Sequence, residues 1–455
     1  MCRKPLSSRC SVTHWEMTRS FRVFRLSLPR MKPVRHCSTL LNQLCAVPAL
    51  APGRAYPAGL RQLRPGVRGG ASVTEPKAVF SMGGGSSRLF GTLAQSLNSI
   101  TLAQSDLYPE ESPDHHQELA ELDPDQLLRE CEEALQRRPA RPRRDLVYPT
   151  GRVPRRCKNN PSVRIMQWNI LAQALGEGKD GFIRCPMDAL NWQERKYLIL
   201  EEILTYSPDI VCLQEVDHFY DTFHPIMSSL GYHSSFLPKP WSPCLDVEQN
   251  NGPDGCALFH RSSRFSLDAS SHLRLSAMML PTNQVAIVQM LKCRVTGRQL
   301  CVAVTHLKAR SGWERLRSAQ GADLLHNLRS ITSLGVQSNT GPVAVPIVVC
   351  GDFNAEPSED VYWRFSSSPL GLRSAYKLLS SDGQTEPPYT TWKIRPSGES
   401  CSTLDYIWYS HHALSVDCLL DIPTEEQIGP DRLPSYHYPS DHLSLLCDMS
   451  FREDV

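Results

Sequence analysis

Val163-Arg164-Ile165-Met166-Gln167-Trp168-Asn169-Ile170 is a strand-like apolar run that carries an asparagine at its end. The pattern returns three times. Ile210–Val216 carries Glu215 near its end, Leu300–Thr305 is followed by His306, and Val345–Cys350 is followed by Gly351-Asp352-Phe353-Asn354. Further runs lie at Cys256–Phe259, Val285–Leu291, Leu404–Tyr409 and Leu443–Cys447. Bounded by Gly, Pro, Asn and Asp, these runs predict short strands. Helical segments fall between them. Asn191 and Glu194 form a capping box ahead of a helix that ends near Tyr206, before Pro208, and Gly312 to about Leu334 reads as a second. Strands interspersed with helices predict an α/β domain of two packed β-sheets flanked by helices, with no repeat at a fixed period.

That domain is expected to span 161–451 of the 455 residues, a length that buries a sizeable core. No apolar run approaches the roughly 18–20 residues needed to cross a bilayer. The formal net charge of +2 hides an asymmetry: residues 1–159 hold 25 Lys+Arg against 14 Asp+Glu, a charge of +11, and the remainder carries −9. Residues 18–74 contain no acidic side chain while Arg recurs among Ser, Leu and Ala. This composition predicts a mitochondrial targeting arm over residues 1–80, the alternative being a basic tail that touches RNA or anionic lipid. The expected location is mitochondrial with the arm retained and cytoplasmic, perinuclear or nuclear without it. Met82-Gly83-Gly84-Gly85-Ser86-Ser87 fits N-myristoylation only if translation starts at Met82; otherwise it is a Gly/Ser linker.

Residues 81–160 read as a linker with one short helix over 123–137. Asp123 is its N-cap, Pro124 takes the first position and Gln126 completes a capping box, while Leu127, Leu128, Cys131 and Leu135 share a face. Such a helix docks on the following domain or binds a partner, and the sequence leaves both open. Sixteen cysteines without a CxxC pair exclude the usual zinc-ribbon or redox spacing, and those inside apolar runs, such as Cys212 and Cys350, read as buried thiols.

Polar residues of one chemical kind stand where the strands end: Asn169, Glu215, His306, Asp352, Asn354, Asp405 and the pair Asp441-His442. Strands of one sheet finish on a shared rim, so residues far apart in sequence can meet there. Carboxylates and amides without clustered thiols suit a hard cation, Mg2+ or alternatively Mn2+. A carboxylate that orients water and two histidines that face phosphate oxygens suit phosphoester hydrolysis.

Gln167-Trp168-Asn169-Ile170-Leu171, Leu213-Gln214-Glu215-Val216, Thr305-His306-Leu307, Gly351-Asp352-Phe353-Asn354 and Ser440-Asp441-His442 resemble, in order, the signature set of the exonuclease-endonuclease-phosphatase superfamily. Within it, the chain is similar to relatives of the carbon-catabolite-repression deadenylases. The resemblance implies that Glu215 binds the metal, with Asn169 beside it as a metal or phosphate contact. It implies that Asp352 orients the nucleophilic water and Asn354 holds phosphoryl oxygens. His306 and His442 would steady developing charge, with Asp441 fixing the His442 tautomer and Asp405 as a supporting acid of the rim.

The surroundings of the motifs narrow the substrate. Lys308 and Arg310 follow His306 closely, and a basic pair in an acidic domain suits additional phosphate groups. Lys239 offers another cation and Trp241 an indole that can stack on a base or nicotinamide ring; Asn283 is a further substrate contact that the resemblance suggests. The resemblance implies removal of the 2′-phosphate of NADP+ or NADPH to give NAD+ or NADH, with a circadian and metabolic role. The alternative is a poly(A)-specific 3′ exoribonuclease acting on mRNA. A domain at −9 fits a compact dinucleotide better than a long polyanion. A third reading, without catalysis, is a scaffold whose N-terminal region recruits RNA or mRNA-decay or transcription partners. The chain is expected to be a monomer.

Overall fold

The computed structural model describes residues 122–149, 159–333, 337–338, 341–342 and 345–452. The expected targeting arm and the Met82 segment lie outside the described residues. In chain order the strands of the two principal sheets are β1 (Leu146–Val147), β2 (Val163–Asn169), β3 (Ile210–Val216), β4 (Tyr232–Pro238), β5 (Gly255–Arg261), β6 (Phe265–Ala277), β7 (Leu280–Cys293), β8 (Gln299–His306), β9 (Ile347–Asp352), β10 (Leu372–Ser374), β11 (Asp405–Ser410), β12 (Leu414–Leu420) and β13 (Leu445–Phe451). One sheet runs β1-β12-β13-β2-β3-β5-β4 and the other β10-β11-β9-β8-β7-β6.

Each sheet has a parallel pair at its centre, β2 with β3 and β8 with β9. Their inner faces meet in one core, where Ile165, Ile210, Cys212 and Leu258 pack with Ile287, Val302, Val304, Val348 and Cys350. A parallel pair ends both strands at the same edge, which brings Asn169 and Glu215 to one lip and His306 and Asp352 to the other. The ladder register places Asp352 opposite His306 on one side and opposite Asp405 on the other. The expected two-sheet architecture is present.

Helices cover the outer faces. Helix α2 (Trp192–Tyr206) buries Ile199, Leu200 and Ile203 against the first sheet, and α3 (Glu314–Ser333) buries Leu324 and Leu328 against the second. Asn191 caps α2 by accepting from the Gln193 backbone N–H, while Glu194 pairs with Arg138. The residues read as linker belong in part to this domain. Helix α1 (Pro124–Ala134) places Leu127 and Cys131 in the core shared with α2. Arg144 is buried, donating to the Ser444 hydroxyl and carbonyl and to Glu202, and β1 pairs with β12. The domain therefore includes residues from 122 onward among those described. Asp123 caps α1 by accepting from the Asp125 N–H.

Sequence reading missed β1, β4, β6, β10, β12 and a hairpin of Thr391–Arg395 with Gly398–Ser402. β1, β4, β6 and β10 sit at sheet edges and the Gly398–Ser402 strand of the hairpin is mostly exposed, so apolar residues do not mark them out. Ten of the eleven described cysteines are buried and none is in a disulfide; Cys401 is exposed.

Candidate active site

Gly351 shows how closely the central strands approach at the rim. A Cβ there would lie 2.6 Å from the Thr305 carbonyl oxygen, so only glycine fits beside β8. The next residue, Asp352, is buried, and its Oδ1 accepts from the Asn354 backbone N–H at 2.8 Å. Its Oδ2 accepts from Asn169 Nδ2 at 3.0 Å and lies 3.5 Å from His306 Nε2 and 3.7 Å from His442 Nε2. Burial raises its carboxyl pKa, with Asp405 adding to the rise and His442 opposing it. Asp352 is thus the point where both sheets and both histidines meet.

Asn169 spends its amide on the carboxylates. Nδ2 donates to Glu215 Oε1 and to Asp352 Oδ2, both at 3.0 Å, and Oδ1 accepts from the Leu171 N–H. Asn169 thereby spaces the carboxylates of Glu215 and Asp352, with its oxygen on the backbone of Leu171. Glu215 occupies an irregularity in the β3–β5 ladder at φ 56°, a conformation that glycine adopts far more readily. The bulge turns its partly exposed carboxylate toward Asn169 and the Ala172 N–H. Burial, then the charges of Asp441 and Asp254, push its pKa up to about 7. A carboxylate crowded by like charge is where a divalent cation gives the most relief, and the oxygen-rich donor set fits Mg2+ or Mn2+.

A second group capable of holding a cation comprises Asp352, Asp405 and His442, with ligand atoms within 4.8 Å of one another. These atoms are already used on each other. His442 Nδ1 lies 2.8 Å from Asp405 Oδ2, which also accepts from Thr390 Oγ1 at 2.6 Å. Burial works against the charged imidazole, but Asp405, Asp352 and Asp441 outweigh it despite Lys393, and its pKa is pushed up to about 9. This imidazolium balances the neighbouring carboxylates, whereas Glu215 has only the Asn169 amide and the Ala172 N–H as hydrogen-bond partners among the described residues.

The expected partnership of Asp441 with His442 is corrected here. Asp441 Oδ2 lies 3.8 Å from His442 Nε2, and its carboxylate instead pairs with Lys393 Nζ at 2.5 Å and Arg395 at 3.3 Å. The Nδ1 of the imidazole is taken instead by Asp405 from the other sheet, at 2.8 Å. Ser440 holds the loop, donating to the Asn169 carbonyl at 2.6 Å, and Trp168 Nε1 donates to the His442 carbonyl at 2.7 Å.

Lys239 is also placed differently from expectation. Its ammonium is buried, 2.6 Å from Asp254 Oδ2 and 3.2 Å from His306 Nδ1. It backs His306 instead of facing solvent. Burial first, then Lys239 and His442, drive the His306 pKa well below its usual value, so this imidazole is neutral. The two histidines of the rim therefore differ in charge.

Trp241 is 38% exposed and available for stacking. Lys308 is partly exposed with its Nζ 5.5 Å from the Trp313 ring centre, and Arg310 is exposed at φ 80°. The Arg310 guanidinium makes no hydrogen bond or ion pair among the described residues. Asn283 Oδ1 is buried without a hydrogen-bond partner. Asn354, at φ 50°, donates to the Leu307 carbonyl at 3.1 Å.

Three supporting residues escaped sequence reading. Lys393 lies 3.3 Å from His442 Nε2, and Arg395 joins Asp180 to Asp441. Arg195, fully buried on α2, donates to the carbonyls of Pro439, Ile170 and Leu171, so one guanidinium ties two motif loops together. Only the basic spacing in Lys393-Ile394-Arg395 offered any sequence signal.

The pattern described as the Endonuclease/Exonuclease/phosphatase family matches residues 166–442. Mouse nocturnin is 60% identical over 394 residues, covering 86% of this chain and 89% of that protein. The solved human nocturnin catalytic domain with bound sulfate anion is 58% identical, with a TM-score of 0.56 over 68% of this chain and 98% of that one. ANGEL2, described as a 2′,3′-cyclic phosphatase in complex with adenosine-2′,3′-vanadate, is 26% identical, with a TM-score of 0.56 over 68% of this chain and 99% of its own.

Proposed function

Since the chain belongs to the endonuclease/exonuclease/phosphatase family and to its nocturnin group, we propose that it is a metal-dependent phosphatase that removes the 2′-phosphate of NADP+ and NADPH. The observation that carries this reading is the placement of Lys308 and Arg310 on the loop that leaves β8 directly after His306. Neither cation is committed to a carboxylate among the described residues. Two cations beside the centre suit a substrate with phosphates beyond the one being cleaved. The human nocturnin catalytic domain holds a sulfate anion and ANGEL2 an adenosine-2′,3′-vanadate, which supports a phosphate-bearing substrate for this chain.

In this account Asp352 accepts a hydrogen bond from water and aims its oxygen at the 2′-phosphorus, while the P–O2′ bond breaks on the opposite side. The His442 imidazolium, held by Asp405, faces the phosphoryl oxygens as charge develops. Neutral His306, backed by Lys239, donates a second hydrogen bond. Asn354 uses one amide hydrogen on Leu307 and keeps the other for the phosphoryl group. Glu215 would hold the divalent cation, which when bound supplies charge neutralisation at phosphorus. Trp241 stacks on a ring of the dinucleotide, and Asn283 offers its unpaired oxygen to a hydroxyl or amide.

Poly(A) shortening is the competing enzymatic reading, and a scaffold for decay partners is the non-catalytic one. Incubation with Mg2+ and either NADPH or oligo(A) separates them. Phosphate release without shortening is expected, and shortening without phosphate release would overturn the proposal. We further propose mitochondrial delivery by the N-terminal arm, testable by import of the full chain and of a chain beginning at Met82.

A further inference from the structure

The loop carrying the two cations has little to hold it in place from its own residues. Lys308 is partly exposed and Arg310 exposed, and Arg310 adopts φ 80°, a conformation disfavoured for a side chain of this kind. Its backbone is fixed from behind by two buried residues of α3. Arg317 Nη1 donates to the carbonyls of Lys308, at 3.1 Å, and Arg310, at 2.8 Å. Gln320 Oε1 accepts from the Lys308 N–H at 3.1 Å. The remaining donors of these side chains reach elsewhere in the rim. Arg317 makes a forked pair with Glu359, at 2.9 and 2.8 Å, on the segment that continues from Asp352 and Asn354. Gln320 Nε2 donates to Thr282 Oγ1 and Gln284 Oε1, the residues on either side of Asn283. Helix α3 is itself held close to the short helix Asp360–Ser366, because a Cβ on Gly321 would lie 2.5 Å from Val361 Cγ2.

We infer that Arg317 and Gln320 are positioning residues that set how far the Lys308–Arg310 cations stand from Asp352, and thereby select substrates carrying extra phosphates at that distance. The inference rests on the phosphatase reading above. A planar guanidinium has enough donors in a fixed fork to bind two carbonyls and a carboxylate together; a lysine ammonium at the same place cannot reproduce that geometry. Arg317 touches no reacting atom. Its effect passes through the backbone of Lys308 and Arg310.

The test compares full-length wild-type, R317K, R310A and R310A/R317K on NADPH and on 2′-AMP, which has the same 2′-phosphate but no pyrophosphate. R317K is expected to raise the KM for NADPH about tenfold, the scale of one misplaced charge-assisted contact, with kcat within about twofold and 2′-AMP turnover little changed. R310A/R317K should lose less than the two single variants combined, because part of what Arg317 positions is Arg310 and the rest is Lys308. Equal losses on both substrates, or additive effects in the double variant, would overturn the inference. If R317K lacks a cooperative melting transition, E359Q takes its place: it keeps the shape, removes the charge that anchors the guanidinium, and should show the same KM-selective loss. A wild-type NADPH/2′-AMP ratio in E359Q would then overturn it. Absence of wild-type activity on NADPH would instead defeat the phosphatase reading, a separable result.

Discussion

His442 Nδ1 sits 2.8 Å from Asp405 Oδ2, a contact that joins the loop leading into β13 of one sheet to the first residue of β11 in the other. The imidazole is consequently charged and oriented only when the two sheets are in register. Asp405→Asn should bring the His442 pKa down from about 9 toward its ordinary 6.5. It should also cut turnover by about a hundredfold or more, the usual scale for a mispositioned acid–base group. Histidine NMR titration and kcat would both reveal it; an unchanged titration would remove Asp405 from this role.

The same histidine links stability to pH. Its folded pKa, about 9, is above the ordinary 6.5, so the protonated form favours the folded state. That contribution is complete below about pH 6.5 and is lost as pH rises through about 9. Wild-type protein should lose more stability over this interval than Asp405→Asn in denaturant melts. Parallel pH curves for the two would contradict the assignment.

Glu215 gives a metal-dependent signature that does not require turnover. Its pKa is raised from 4.5 to about 7, so the folded state is favoured at low pH and loses this contribution as pH rises through that range. At pH 8 the uncompensated carboxylate should be relieved by Mg2+, which raises the melting temperature of wild type and is reversed by EDTA. Glu215→Gln should melt higher than wild type without metal and respond little to Mg2+. Equal Mg2+ responses in the two proteins would place the cation elsewhere.

Arg195 is a structural test of how the rim is assembled. Arg195→Met leaves the carbonyls of Ile170, Leu171 and Pro439 without their buried donor and should cost about 2–4 kcal/mol of stability. Activity should fall even at temperatures where the variant is folded, because Asn169 and His442 stand on the loops it ties. Full activity in the folded variant would show that those loops hold their geometry unaided.

Trp241 separates substrate contact from folding. At 38% exposure its truncation should barely change stability, whereas Trp241→Ala should raise the KM for NADPH about fivefold through lost stacking. A large drop in melting temperature with unchanged KM would make it a packing residue.

The strand-end residues were readable because a central parallel pair forces polar termini onto one edge, and each terminus follows an apolar run. The pairing of His442 with Asp405 was not, since the family resemblance implied Asp441 and only the meeting of two sheets brings Asp405 to the imidazole. Arg195, Arg317 and Gln320 look like ordinary polar positions on amphipathic helices; their backbone targets lie in loops distant in sequence. Lys239 reads as a surface cation until Asp254 is placed beside it. Helix α1 had a legible cap and apolar face, but what that face covers is decided by α2.

The central claim concerns which bond is broken. Wild-type protein with Mg2+ and NADPH, followed by phosphorus NMR, should show the 2′-monoester resonance replaced by inorganic phosphate while the pyrophosphate signals of the dinucleotide persist. Loss of the pyrophosphate signals with the 2′-monoester intact would contradict the account.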